Sequence, residues 1–198
     1  MKNYSAKEIK NIVLIGAPGS GKTTWAAEFL KKHPDFLYFS PDAYYERING
    51  DECDRTDTFE IWMAMFRDIH IAEKNGYNVL IDSDNLTYAQ RNQWIEWFPY
   101  FDEHILLFLE EDYNTCFDRV SKRRRTIPEI IMREKMYKWE NPLEKIFSRC
   151  YNNYCNTLKL RSGQQTRSFV FVLRRDFMAK SKGGVTVAKV WALCEPIV

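Results

Sequence analysis

The stretch that decides the fold is Gly16-Ala17-Pro18-Gly19-Ser20-Gly21-Lys22-Thr23, which matches the pattern GxxxxGK[ST] at every required position. An apolar run, Ile12-Val13-Leu14-Ile15, precedes it, and a helical pattern from Lys22 to Lys32 follows it. Glycines in such a loop let successive backbone N–H groups face one anionic centre at the start of a helix. The stretch therefore predicts a phosphate-binding loop, called here the phosphate loop, between a buried strand and a helix.

Two side chains of the phosphate loop carry the predicted chemistry. Lys22 can reach the β- and γ-phosphates of a nucleoside triphosphate, and the Thr23 hydroxyl can ligate Mg²⁺. We therefore expect ATP and Mg²⁺ as cofactors. The residues expected to contact the nucleotide are Gly16, Ala17, Pro18, Gly19, Ser20, Gly21, Lys22, Thr23 and Thr24.

Strand and helix patterns alternate along the chain after this loop. Short apolar runs predict strands at 36–39, 77–82 and 105–109. Helical spacing predicts helices at 59–75, 88–98, 113–124 and 129–139. This alternation indicates an α/β protein with a three-layer sandwich, in which helices cover both faces of a parallel sheet.

The same strand and helix patterns predict the domain organisation. Residues 1–142 form the expected core, which includes a helical lid at about 112–142. Residues 143–198 form a C-terminal extension that we expect to pack on the core. Within the extension, 143–160 is a candidate helix and 168–173 is a candidate last strand.

Two aspartates follow strands whose carboxyl ends share one edge of the predicted sheet with the phosphate loop. Asp42 comes just after the second strand and is the candidate base for an acceptor hydroxyl. The local sequence equally allows Asp42 to cap a short helix that begins at Ala43. Asp82 ends the third strand and is a candidate ligand of Mg²⁺, together with Thr23.

Asp84 and Asn85 follow on the same strand end. Either side chain could contact metal, nucleotide or acceptor. Because both residue types also favour bends, turn chemistry explains them equally well.

A basic segment, residues 119–125, supplies candidate cations for the lid. Arg119 and Arg123 are four residues apart, so on a helix they share a face. Two guanidinium groups closing over the β- and γ-phosphates would neutralise charge in the transition state of phosphoryl transfer. A solvated basic helix face is the alternative, but the phosphate loop upstream favours the lid.

Composition and missing motifs narrow the functional class. The chain has 198 residues, with 29 Lys and Arg against 27 Asp and Glu, which neither requires nor excludes nucleic acid. It has no guanine-reading NKxD segment, which argues against a GTPase. A ring ATPase usually places Glu after the second acidic strand end, whereas Ser83 follows Asp82 here. A phosphotransferase remains, with Lys22 and Asp42 among its catalytic residues.

Localisation is predicted from what the chain lacks. It has no apolar run of the roughly 20 residues that cross a bilayer, and no apolar signal segment at its start. We therefore expect a cytoplasmic protein without membrane contact, whose five cysteines are reduced. We expect the three histidines, His33, His70 and His104, at the surface or behind a site, because none lies in a metal-ligand pattern.

From about Asn11 to Pro142 the chain resembles P-loop kinases of the polynucleotide 5′-hydroxyl kinase group, with AAA-type ATP-binding and zeta-toxin-like relatives. The segments that carry the resemblance are GAPGSGKTTWA at 16–26, SPDAY at 40–44, IDSDNL at 81–86, Arg119xxxArg123, IPE at 127–129 and MYKWENP at 136–142. In that family, the aspartate that matches Asp42 activates the 5′-hydroxyl. The arginines that match Arg119 and Arg123 belong to a lid over ATP.

The chain departs from the family pattern at two places. Asp84 stands where the family usually has Thr. The family often has a basic or second acidic residue after the base, whereas Ala43, Tyr44 and Tyr45 occupy that stretch here.

The resemblance and the residues together predict an ATP-dependent phosphotransferase whose acceptor is the 5′-hydroxyl of single-stranded DNA or RNA. Tyr44, Tyr45 and Trp62 are candidates for stacking bases near the site, and the run 122–125 is a candidate for following a phosphate backbone. One alternative is a kinase for a small molecule or nucleotide sugar, as in zeta-toxin-like relatives. Another is a nucleotide-binding switch without turnover. The oligomeric state does not follow from the sequence.

Overall fold

The computed structural model describes residues 8–123, 126–140 and 167–174. Helices and strands alternate along this part of the chain, as the sequence predicts. The elements are β1 Lys10–Ile15, α1 Lys22–Lys32, β2 Phe36–Phe39, α2 Pro41–Asn49, α3 Thr58–Lys74, β3 Asn78–Asp82, α4 Tyr88–Glu96, β4 Glu103–Glu110, α5 Tyr113–Ser121, α6 Glu129–Tyr137 and β5 Arg167–Arg174.

The strands form one sheet in the order β2-β3-β1-β4-β5. The pairs β2–β3, β3–β1 and β1–β4 are parallel, so the four strands predicted from the sequence all end at the same edge. That edge carries the phosphate loop after Ile15 and the aspartate at the end of β3. The α/β sandwich with a parallel sheet is therefore confirmed.

The two faces of the sheet are covered by different helices, because side chains alternate along each strand. Ile12 and Leu14 of β1 face one side, with Ala26 of α1, and the partly buried Trp25 packs there. Val13 and Ile15 face the other side. Their neighbours there come from α3, α4 and the adjacent strands and include Ile61, Met65, Ile69, Trp94 and Phe108. This arrangement makes the three predicted layers.

The sheet differs from the prediction at its last strand. β5 pairs with β4 in antiparallel register, from Glu103 opposite Arg174 to Glu110 opposite Arg167. The sequence predicts a candidate strand at 168–173 without an orientation. The division of the chain at residue 142 stays a prediction, and the candidate helix at 143–160 lies outside the described residues.

α5 also differs from the prediction, because it ends at Ser121 rather than at 124. The Ser121 hydroxyl donates to the carbonyl of Asp118 at 2.9 Å, a local bond that competes with helix continuation. Consecutive cations follow from Lys122 onward, and their repulsion further disfavours a helix. Arg123 therefore lies beyond the helix that carries Arg119.

The expectation for the histidines is wrong for His104, which is only 1% exposed within β4. Burial lowers its pKa to about 4, so the ring is neutral. Its Nδ1 accepts from Asn11 Nδ2 at 3.2 Å. Among the cysteines of the described residues, Cys53 is exposed and Cys116 is buried, and neither forms a disulfide.

Within the part of the chain that the structure describes, no helix combines the length and the apolar character needed to cross a membrane.

Candidate active site

The shape of the phosphate loop depends on two glycines. Gly19 has a φ of 87° and Gly21 has a φ of 98°, in the left-handed region that favours glycine. A Cβ atom on Gly19 would lie 2.4 Å from the carbonyl oxygen of Cys116, so α5 also requires glycine here. α1 begins at Lys22 with neither a side-chain cap nor an acid in its first turn. Its N–H groups and the positive end of its dipole are therefore suited to an anion.

Lys22 lies over the phosphate loop and is 8% exposed. Its Nζ donates to the carbonyls of Gly16 at 2.8 Å and Ala17 at 3.0 Å, and it lies 3.3 Å from Asp84 Oδ1. The amine is thus held where phosphate oxygens would replace its present acceptors.

Thr23 and Asp82, the two predicted ligands of Mg²⁺, are in direct contact. The Thr23 hydroxyl donates to Asp82 Oδ2 at 2.8 Å, and the Tyr38 hydroxyl donates to the same oxygen at 2.8 Å. Burial and the charge of Asp82 raise the pKa of Tyr38, so Tyr38 stays a donor at neutral pH.

The donor set fits Mg²⁺ rather than a metal held by the protein alone. No group of three or more His, Cys, Asp or Glu side chains that could hold a metal occurs in the described ranges. Mg²⁺ commonly keeps several waters and takes one or two protein oxygens together with phosphate oxygens. Thr23 and Asp82 supply such a pair beside the loop.

Asp42 lies in the first turn of α2, after Ser40 at the N-cap and Pro41. It is therefore not the cap of a helix that begins at Ala43. Its side chain is half exposed and lines a cavity of about 1010 Å³, called here the larger cavity, together with Lys22 and Thr23. The candidate base and the phosphate loop thus face one space.

Arg55, from the loop between α2 and α3, lies beside Asp42. Its Nη2 donates to Asp42 Oδ1 at 2.7 Å, and its guanidinium stacks 3.9 Å from the centre of the Tyr45 ring. Thr58 fixes both residues, because its hydroxyl accepts from the Tyr45 hydroxyl and donates to the Arg55 carbonyl. Arg55 is therefore a cation at the larger cavity that is paired with Asp42 and packed on the Tyr45 ring.

The expectation that Tyr44 and Tyr45 stack bases is wrong, because they are 6% and 2% exposed and pack in the core. Burial and a hydrogen bond to Asp68 raise the pKa of Tyr44 to about 12. α2 is amphipathic, so two neighbouring aromatic residues turn inward while Asp42 stays at the surface.

Trp62, in contrast, does line the larger cavity. It belongs to a cluster called here the aromatic wall, which consists of Trp62, Phe66, Trp94 and Trp97 from α3, α4 and the α4 C-cap. Trp94 is buried and donates through Nε1 to Asn85 Oδ1 at 2.7 Å, whereas Trp97 is 45% exposed. The aromatic wall therefore combines a buried, hydrogen-bonded ring, Trp94, with an exposed ring, Trp97.

Asp84 contacts two lysines. Oδ1 faces Lys22, and Oδ2 pairs with Lys135 of α6. Burial opposes ionisation of Asp84, yet the two lysines hold its pKa below the usual value. Asn85, by comparison, donates to the Leu14 carbonyl at 2.8 Å and is buried, so its role is to fix the end of β3.

The two arginines predicted for the lid lie beside the phosphate loop, Arg119 on α5 and Arg123 just after it. Arg119 donates to the Gly19 carbonyl at 3.1 Å and pairs with Glu111 at 3.1 Å. Arg119 and Arg123 both line a second, smaller cavity of about 900 Å³ beside the loop, and Arg123 also lines the larger cavity. The two arginines are therefore brought together, although not by a shared helix face.

The residues of the site that are not predicted from the sequence include Tyr38, Arg55 and Lys135. Tyr38 lies in an apolar strand, where an aromatic residue is typical of a core position. Arg55 and Lys135 reach the site from a polar loop and a charged helix that are distant in sequence. No local pattern distinguishes them from other surface cations.

A family model described as an AAA domain matches residues 12–139. Among solved structures, one of the Pnkp1/Rnl/Hen1 RNA repair complex is 20% identical with a TM-score of 0.64, over 73% of this chain and 48% of that chain. A gluconokinase from Sinorhizobium meliloti 1021 is 17% identical with a TM-score of 0.50, over 69% of this chain and 78% of that chain. A sugar kinase from Janibacter sp. HTCC2649 is 19% identical with a TM-score of 0.50, over 67% and 79%.

This chain thus spans about half the length of the chain that it matches in the RNA repair complex. At these identities the likenesses show the fold, which is that of P-loop kinases. The family model covers well over half of the sequence. The chain belongs to the AAA domain family and has the α/β fold of a P-loop kinase.

Proposed function

We propose that this protein is an ATP-dependent phosphotransferase that moves the γ-phosphoryl group of ATP to the 5′-hydroxyl of a polynucleotide. The observation that carries the proposal is that Asp42, Lys22 and Thr23 line one cavity of about 1010 Å³. A kinase needs this arrangement, because the base must act on an acceptor next to the terminal phosphate.

In this proposal the donor side is the phosphate loop and its surroundings. Lys22 exchanges the carbonyls of Gly16 and Ala17 for phosphate oxygens, and Arg119 and Arg123 neutralise the charge that develops on the leaving phosphates. Thr23 and Asp82 hold Mg²⁺. A Mg²⁺ ion held there would supply positive charge that stabilises the triphosphate during transfer.

On the acceptor side, Asp42 accepts the proton of the attacking hydroxyl. Arg55 keeps one oxygen of the carboxylate in place through its 2.7 Å hydrogen bond. A guanidinium has five N–H donors, so Arg55 can bind Asp42 and a phosphate of the acceptor at once. The family often has a basic or second acidic residue after the base, where this chain has Ala43, Tyr44 and Tyr45. In this proposal Arg55 takes the place of a basic residue there, although it comes from a later loop.

The aromatic wall supports a nucleic-acid acceptor over a small sugar. Trp62, Phe66 and Trp97 line the larger cavity together with Gln93, whose amide suits the edge of a base. The similar fold within an RNA repair complex agrees with an RNA 5′ end as acceptor.

The test is to incubate the protein with radiolabelled ATP and a panel of 5′-hydroxyl oligonucleotides, nucleosides and sugars. Label on oligonucleotides alone is the expected result. Label on a sugar or nucleoside alone would replace the polynucleotide by a small acceptor. Binding of ATP without transfer to any acceptor would favour a nucleotide-dependent switch.

Asp42→Asn tests the assigned base. We expect the rate of transfer to fall by about 10²-fold or more, because the amide cannot accept the proton, while the Kd for ATP changes little. Asp118→Asn is the matched control, since Asp118 is an exposed carboxylate that pairs with Lys122 outside both cavities. Equal rates for the wild type and Asp42→Asn would remove Asp42 from the mechanism.

A further inference from the structure

Lys135 lies beside the phosphate loop although it comes from α6. Its Nζ pairs with Asp84 Oδ2, while the other oxygen of that carboxylate lies 3.3 Å from Lys22 Nζ. Lys135 also lines the larger cavity with Lys22 and Asp42. The Asp84 carboxylate therefore lies between the amines of Lys135 and Lys22.

This cluster has more positive than negative charge. Two ammonium groups share one carboxylate, and both line the space that the proposed function assigns to the triphosphate. A phosphate oxygen can replace a carboxylate oxygen as acceptor, because each forms the same charge-assisted bond to an ammonium group. Asp84 itself cannot bind the phosphate, since both are anions. The lysines are the groups that can change partners.

Lys135 differs in this respect from the neighbouring cations of α6. Lys138 pairs with Glu134 and Arg133 pairs with Glu129, each one turn away on the same helix. Neither residue lines the larger cavity, whereas Lys135 does.

We propose that Lys135 is a further catalytic residue, which binds the γ-phosphoryl group of ATP and exchanges its ion pair with Asp84 for the phosphate when the nucleotide arrives. The inference rests on the proposed function. During transfer, the bond between the γ-phosphorus and the β,γ-bridging oxygen breaks and a bond from the acceptor oxygen forms. The acceptor's proton goes to Asp42. Lys135 stays protonated throughout and neutralises charge on the moving group.

The test compares ATP with ADP, because only ATP carries the group that Lys135 is assigned to bind. Dissociation constants for both nucleotides with Mg²⁺ are measured for the wild type, Lys135→Gln and Lys138→Gln. We expect Lys135→Gln to weaken ATP binding about tenfold, to change ADP binding less than about twofold, and to lower kcat. Lys138→Gln should change none of these.

Equal weakening of ATP and ADP by Lys135→Gln would overturn the inference, since Lys135 would then only anchor α6 to the loop. So would a loss of thermal stability with an unchanged preference for ATP. If the wild type transfers phosphate and Lys135→Gln does so equally well, the inference fails while the proposed function stands. A wild type that binds no ATP would overturn both.

Asp84→Asn provides a second, independent variant with nearly the same shape. Because the amide no longer holds the two lysines by charge, we expect ATP to bind several-fold more tightly than in the wild type. Weaker binding of ATP would contradict the exchange of partners and would instead make the carboxylate a required group of the nucleotide site.

Discussion

Polar side chains lie at both ends of the same strands, but they serve different purposes. At the amino edge of the sheet, they bond to one another or to backbone: Asn11 with His104, Lys10 with Glu103, and Asn78 with Asp35 and the Lys10 N–H. At the carboxyl edge, Asp82 and Asp84 line the larger cavity, where Asp82 accepts from two hydroxyl groups and Asp84 pairs with two lysines. A buried polar side chain is therefore not by itself evidence of a functional site. The side chains of the candidate site differ because several of them line the same cavity.

The largest effect should come from the two ends of β3. Asp82→Asn should lower kcat about 10²-fold or more through loss of a Mg²⁺ ligand, with the free energy of unfolding nearly unchanged. Asn78→Ala, at the other end, removes two hydrogen bonds and should cost about 2 kcal/mol of stability with kcat unchanged. Kinetics across a Mg²⁺ titration and urea unfolding measure both quantities. If both variants changed kcat and the free energy of unfolding in the same way, the two edges of the sheet would not differ in purpose as described.

The amino edge should also respond to pH through His104. Its pKa is about 4 in the folded protein against an ordinary value of 6.5, so the unfolded chain takes up the proton first as the pH falls. Stability should therefore decrease from pH 6.5 to 4, by at most about 3 kcal/mol from this group.

Urea unfolding at several pH values, for the wild type and His104→Gln, isolates this contribution. The variant should be less stable at neutral pH but lose less stability on acidification. Parallel curves for the two proteins would mean that His104 does not titrate as its burial requires.

The smallest effect concerns the aromatic wall. Trp97→Ala should raise KM for an oligonucleotide about five- to tenfold, because one base loses a stacking partner worth about 1 kcal/mol. Tyr77→Ala is the control, since Tyr77 is similarly exposed but lies at the amino edge, just before β3. An unchanged KM for Trp97→Ala would remove this ring from the acceptor site.

The sequence predicts the donor side of the site well, because that side is nearly contiguous. The phosphate loop, the helix at Lys22–Lys32 and the aspartate that ends β3 each depend on short-range patterns, and the structure has all three. Strand and helix order also follow from periodicity. The roles of Lys22, Asp42, Arg119 and Arg123 in catalysis stay predictions.

The acceptor side and the long-range contacts of the site could not be predicted in the same way. Arg55 reaches Asp42 across 13 residues and Lys135 reaches Asp84 across 51, so no local spacing records either contact. From the sequence, the aromatic residues after Asp42 are candidates for stacking bases. In the structure α2 is amphipathic, so Tyr44 and Tyr45 point into the core. Burial on folding, rather than residue type, decides which aromatic rings line the cavity.

The antiparallel pairing of β5 with β4 has a practical consequence for anyone who shortens this chain. The family match stops at residue 139, but the hydrogen-bond ladder of β4 continues to a strand at Arg167–Arg174. A fragment cut at the family boundary would leave the outward-facing backbone groups of the eight-residue strand β4 without β5, while its other edge stays paired with β1. The edge would then be a buried, apolar strand, and such an edge can recruit strands from other molecules, so we expect the truncated protein to aggregate more readily than the full chain.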